Sequence, residues 1–222
     1  MRGTVRFTGK PLEMKVPKLR AGSDVCKRTK TPHNAVVVED GKLKDVLVRI
    51  GAGSVAGVWK TPETRAEVRQ SDCMYVPRIQ GVMAGQGVVI SNEDSTLHNQ
   101  HVVRGYEVVA GRAQPKGAAP FELEVTEEPG IYRFSCDIHP WMRAFVVVTD
   151  HPFFAVSGED GGFRIERVPA GRYEVEAWHS HYGRLEKRGV EVGAAGEVIV
   201  DFEYDEAMGE PEENKGELVG QW

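Results

Sequence analysis

The sequence predicts a mainly β chain whose strands are half-buried, as in a β-sandwich. Three observations carry this. Short stretches rich in Val, Ile, Phe and Tyr alternate with polar residues at period two. Gly, Pro, Asp and Asn punctuate them at turn-like intervals. At 222 residues and 41% hydrophobic content, the chain is long enough for one large or two small domains with a buried core.

The elements follow in order. "GTVRFTGKPL" and "KDVLVRI" supply N-terminal strands, and "QSDCMYVPRI" sets Cys73 and Met74 among the early strands of the middle region. "VVISNEDSTLHNQHVV" is an apolar strand that runs into His98 and His101. Those histidines are three positions apart, so in a strand they face opposite ways, and His101 is the poorer ligand candidate. In "GIYRFSC" the alternation aims Tyr132, Phe134 and Cys136 at the core.

Further on, "GEDGGF" reads as a hairpin turn, because one short acidic turn around Asp160 and Gly161 lacks the ligand count calcium needs. "GGFRIERV" pairs Phe163 with Ile165 on one face. "VPAGRYEVEAW" does the same for Tyr173, Val175 and Ala177, and "GEVIVDFEY" for Val198, Val200, Phe202 and Tyr204. "WHSHYG" puts His179 and His181 on one face of a strand, a spacing that grips a metal if His33 or His151 joins them. The alternative is two polar side chains at a strand end. Residues 206–222 read as an acidic tail, with Trp222 as its one anchor.

Composition excludes several classes. A net charge of -5 argues against a nucleic-acid partner, which needs a basic patch. No run approaches the roughly 20 apolar residues of a membrane span, and "MRGTVRF" lacks the apolar stretch of an export signal, which is taken to have been removed. No nucleophile and base pair, paired-carboxylate site, phosphate-binding loop or dinucleotide fingerprint stands out, so hydrolase or transferase chemistry is not expected. Of the three cysteines, Cys26 and Cys73 are left to form a disulfide if a metal takes Cys136; two unpaired buried thiols are the alternative.

"SCDIHPWMR" holds the chemistry. A thiolate carried into the core needs a cationic partner, and a soft metal supplies one. His139 and Met142 follow Cys136 at intervals of three, and Pro140 restricts the loop that would fold them back on one point. A trigonal site of two imidazoles and a thiolate with a weak axial thioether needs one more histidine.

"NEDSTLHNQH" together with "GIYRFSCDIHPWMRAFVVV" resembles the cupredoxins, type 1 blue copper domains of the amicyanin and plastocyanin kind, which fold as Greek-key β-sandwiches. The resemblance covers residues 62–149 and implies one type 1 copper per chain, with His98, Cys136, His139 and Met142 as ligands. It also implies that Asn99 ties the two ligand-bearing segments together, with Ser135 as its hydrogen-bond partner. Zinc competes for thiolate and imidazole but prefers a harder fourth ligand than thioether.

Residues 1–61 and 150–205 resemble in turn the carboxypeptidase-regulatory-like, transthyretin-like β-sandwich, so the chain is expected to be all-β, with the copper domain inserted into that sandwich; two domains in linear order are the alternative.

The expected function is single-electron transfer, since four protein ligands leave no position for substrate. The cupredoxin resemblance implies that the outer edge of His139 lies at the surface, where a redox partner protein would dock near His139, Pro140 and Trp141. Alternatives are a periplasmic copper carrier or sensor, an accessory subunit of a copper redox enzyme with a second site near His179 and His181, and a copper-free scaffold. The resemblance and the cysteine count imply a periplasmic or otherwise extracytoplasmic bacterial protein.

Overall fold

The computed structural model describes residues 1–15, 24–28, 35–123 and 128–209. His33, Trp222 and residues 210–222 of the expected tail lie outside them. The described residues form strands joined by turns, with two 3-10 segments, Cys26–Arg28 and Glu206–Met208. No helix among them is long and apolar enough to cross a membrane.

Contacts divide the chain into two compact units. Among the described residues, one comprises Met1–Glu13, Ala35–Trp59 and 150–209; the other comprises Lys60–Thr149 and the segment around Cys26. That segment departs from the expected range 1–61 for a covalent reason. Cys26 is disulfide-bonded to Cys73, 47 positions away, with Cα atoms 5.7 Å apart.

The first unit has two sheets. In one, β1 (Arg2–Thr8) runs between β15 (Gly162–Arg164) and β3 (Lys42–Leu43), with β2 (Val38–Glu39) beyond β3 and β18 (Phe202–Asp205) parallel to β1. The other follows the order β14 (Phe154–Val156), β4 (Leu47–Ile50), β16 (Gly171–His179), β17 (Gly183–Val192). Val5, Phe7, Phe163, Ile165, Phe202 and Tyr204 are buried, as the alternation predicts. The Tyr204 hydroxyl donates to the Ala177 carbonyl of the facing sheet at 3.0 Å.

Gly3 is required by close approach, because a Cβ there would lie 1.9 Å from the Val200 carbonyl oxygen. On β16 the polar face is buried too: Glu176 pairs with Arg49 of β4 at 2.7 Å. The "GEDGGF" turn closes on itself, with Asp160 Oδ1 accepting the Gly162 amide.

In the second unit, one sheet follows the order β11 (Phe121–Leu123), β8 (Val88–Asn92), β5 (Ala66–Ser71), β6 (Met74–Val76). The other follows β10 (Glu107–Gln114), β9 (His98–Arg104), β12 (Gly130–Cys136), β13 (Arg143–Thr149), β7 (Ile79–Met83). Val68, Tyr75 and Ile90 from the first meet Val102, Tyr132, Phe134 and Val146 from the second in one apolar cluster, so this unit is a sandwich. β12 is central, flanked by β9 and β13, and it carries Cys136 into the core at the end of the cluster.

Candidate metal centre

Period-two alternation along β9 turns His98, Gln100 and Val102 inward, while Asn99 and His101 stand on the outer face. Antiparallel pairing then sets Cys136 opposite Gln100, beside the start of β9. The loop from β12 to β13 is tightened by the Met142 amide, which donates to the His139 carbonyl at 2.9 Å. A second backbone bond, Asp137 amide to Asn99 carbonyl at 3.0 Å, fixes the loop to β9.

These constraints bring three donor atoms together. His98 Nδ1 and His139 Nδ1 lie 3.0 Å apart, and Cys136 Sγ is 3.8 Å from the first and 3.6 Å from the second. His98, Cys136 and His139 are 0%, 2% and 3% exposed. Met142 is fully buried and belongs to the same core cluster as Cys136 and Trp141.

Each imidazole is committed on its far side. His98 Nε2 donates to Asp94 Oδ2 at 2.9 Å, and His139 Nε2 faces the Sγ of Cys26 at 3.6 Å. A carboxylate or a disulfide sulfur can only accept, so each Nε2 is held as a donor and each Nδ1 is left facing the triangle, as a lone pair toward a metal or as an N–H toward the Cys136 sulfur. Two ring nitrogens and a sulfur therefore converge on one point, an arrangement that a cation stabilises.

The spacing fits a metal. A circle of radius about 2 Å passes through all three donors, close to the 2.0–2.1 Å of a zinc–imidazole bond. With only protons in the triangle, burial pushes the Cys136 thiol up. His139, His98 and the amides of Asn99 and Ile138 outweigh that and bring it down to about 6. Burial lowers the His98 ring, and its bonds to Asp94 and Cys136 more than offset this, raising it.

Several sequence expectations change. Asn99 Nδ2 donates to Asp137 Oδ2 at 2.8 Å rather than to Ser135, its expected partner. The Ser135 hydroxyl donates instead to the His101 carbonyl. The expected docking patch is largely covered: His139 and Trp141 are buried and only Pro140 of the three is exposed. The cause is long-range, since Cys26 covers the His139 edge and the Trp141 indole donates to the Cys73 carbonyl at 2.9 Å.

His179 and His181 do not converge on a metal. The Nδ1 of His179 accepts the amides of His181 and Tyr182, both at 3.2 Å, which uses the lone pair a metal needs. His151 is equally occupied, by the Ile50 carbonyl on one nitrogen and the Phe153 amide on the other.

Two further groups of metal-ligand type occur among the described residues. In the first, Cys73 with Asp94 and His98, the cysteine is taken by its disulfide. In the second, Glu174, Glu176 and Glu186 already have Arg49, Arg184 and Arg188 as cationic partners.

Asp94 and Cys26 are the site residues that the motifs do not reveal. Asp94 follows Asn92, whose Oδ1 accepts the Asp94 amide and folds the turn back on His98. "SNED" is the one local signal for it.

The site is thus a buried constellation of two imidazoles and a thiolate with metal-ligand spacing. Solved structures similar to part of this chain include amicyanin from Paracoccus versutus, at 24% identity and TM-score 0.35, covering 45% of this chain and 97% of that one. A purple cupredoxin from Nitrosopumilus maritimus matches at 26% identity and TM-score 0.32, covering 38% and 99%. A copper-containing nitrite reductase from Thermus scotoductus SA-01 matches at 22% identity and TM-score 0.35 over 45% of this chain, which spans only 25% of that enzyme. No family model and no curated protein matches the chain.

Proposed function

We propose that the chain is a cupredoxin-type electron carrier whose single type 1 copper is held by His98, Cys136 and His139, with Met142 as the weak axial ligand. The observation that carries this reading is the convergence of two Nδ1 nitrogens and the Cys136 sulfur within 3.8 Å of one another in a water-excluded site. When bound, copper would supply a one-electron couple. The protein's part is to keep the donors fixed. Asp94 and Cys26 hold each ring Nε2 as a donor, the Asn99 and Ile138 amides stabilise the thiolate, and the β9 and β12 strands hold the spacing.

Burial of all four residues leaves no open ligand position, which favours electron transfer over catalysis on a bound substrate. It also disfavours the carrier or sensor reading, which needs rapid metal exchange. The nested arrangement, with 62–149 as the copper domain and a transthyretin-like outer sandwich, belongs to this proposal. So do a redox partner protein and an extracytoplasmic location, where the Cys26–Cys73 disulfide would persist.

Voltammetry of the copper-loaded protein tests the function. One reversible one-electron wave per chain is expected, with metal lost to a chelator over hours. An electrochemically silent metal that exchanges in seconds would point to a carrier.

A further inference from the structure

The disulfide touches the metal centre at more than one place. Cys26 Sγ lies 3.6 Å from His139 Nε2, and both residues are buried. Cys73, its partner, donates its amide to Asp94 Oδ2 at 3.0 Å, the same oxygen that accepts His98 Nε2. The Cys73 carbonyl accepts the indole N–H of Trp141, whose ring lies 5.1 Å from that of His139. One cystine therefore reaches His139 directly, His98 through Asp94, and the ligand loop through Trp141. Cys73 also holds a φ of 54°, in the left-handed region that favours glycine, so its backbone is committed to this arrangement.

We propose that Cys26 is a positioning residue for the metal centre. Its disulfide sulfur accepts the Nε2–H of His139 and closes the imidazole edge, so that the cystine sets how readily solvent and chelators reach the metal. This rests on the reading of the triangle as a metal site.

The two ligand rings are then held unequally. His98 leans on a carboxylate and a charge-assisted bond, whereas His139 leans on a neutral sulfur that is a weak acceptor but excludes water. Rotation of His139 off the metal first has to break that contact. Such outer partners typically change metal affinity about 10–100-fold when removed.

The test begins with nitrogen-15 spectra of the imidazoles in metal-free wild-type protein. His139 is expected as the Nε2–H tautomer, its proton exchanging with water at least about 100-fold more slowly than in free imidazole. An Nδ1–H tautomer, or unprotected exchange, would overturn the proposal.

The double variant Cys26→Ser/Cys73→Ser should lose that protection and release metal to a chelator at least about tenfold faster; unchanged release would also overturn it. If the variant fails to fold, the tautomer and exchange rate of His139 in the wild-type protein decide alone. The metal reading fails separately: protection without any thiolate–copper spectrum leaves the positioning role standing and removes the copper assignment.

Discussion

Asp94→Asn isolates the charge behind His98, one of the proposed metal ligands. The Asp94 side chain is 9% exposed and its Oδ2 receives two donors, His98 Nε2 at 2.9 Å and the Cys73 amide at 3.0 Å. Asparagine keeps the shape and an accepting oxygen but removes the charge, so both bonds fall from the charged class, about 1.5–3 kcal/mol, to the neutral class of about 1 kcal/mol. For the metal, the less polarised His98 becomes a poorer donor. Affinity should fall about 10–100-fold, or about 1.4–2.8 kcal/mol.

The assay is competition for Cu(I) against a chromophoric chelator, with unfolding of the metal-free protein followed in parallel. Asp94→Ala should lose stability as well, because it leaves both donors without their partner at about 1–3 kcal/mol each. Wild-type affinity in Asp94→Asn, within twofold, would refute the role given to this carboxylate.

Two predictions concern the first unit. Arg49 and Glu176 form an ion pair whose side chains are 2% and 5% exposed, so Arg49→Ala should cost about 3–5 kcal/mol in urea unfolding, moderated by the remaining contact of Glu176 with Arg184. The apolar pair Arg49→Met/Glu176→Leu should recover most of it. His151 is buried and neutral between the Ile50 carbonyl and the Phe153 amide, and burial lowers its pKa below the ordinary 6.5. The unfolded chain therefore binds the proton more readily, and stability present above pH 6.5 should be lost as the pH falls below it. His151→Leu should flatten that slope in unfolding measured from pH 7.5 down to about 5.5.

The convergence of the proposed ligands was legible because its geometry is local. Cys136, His139 and Met142 lie in one short turn, and the pattern of β9 fixes which of His98 and His101 faces inward. Strand faces were legible for the same reason, as Val5, Phe7, Phe163 and Tyr204 illustrate.

What the pattern misses is set by distant chain. The exposure expected for His139 follows from the cupredoxin resemblance, yet Cys26, 113 positions away, covers it. Glu176 reads as a solvent-facing charge until β4 brings Arg49 against it. His179 and His181 look like a metal grip by spacing alone, but the turn after β16 spends the His179 lone pair on backbone amides. Spacing encodes which side chains share a face; it does not encode which backbone groups claim them first.

Two Nδ1 nitrogens and the Cys136 thiolate are proposed to form one copper site. Adding Cu(II) to metal-free protein and recording visible absorption with electron paramagnetic resonance tests it most directly, with Cys136→Ser as the control. An intense thiolate-to-copper band and a small copper hyperfine splitting are expected, both absent from the variant. A weakly absorbing, ordinary tetragonal copper spectrum that is unchanged in Cys136→Ser would contradict it.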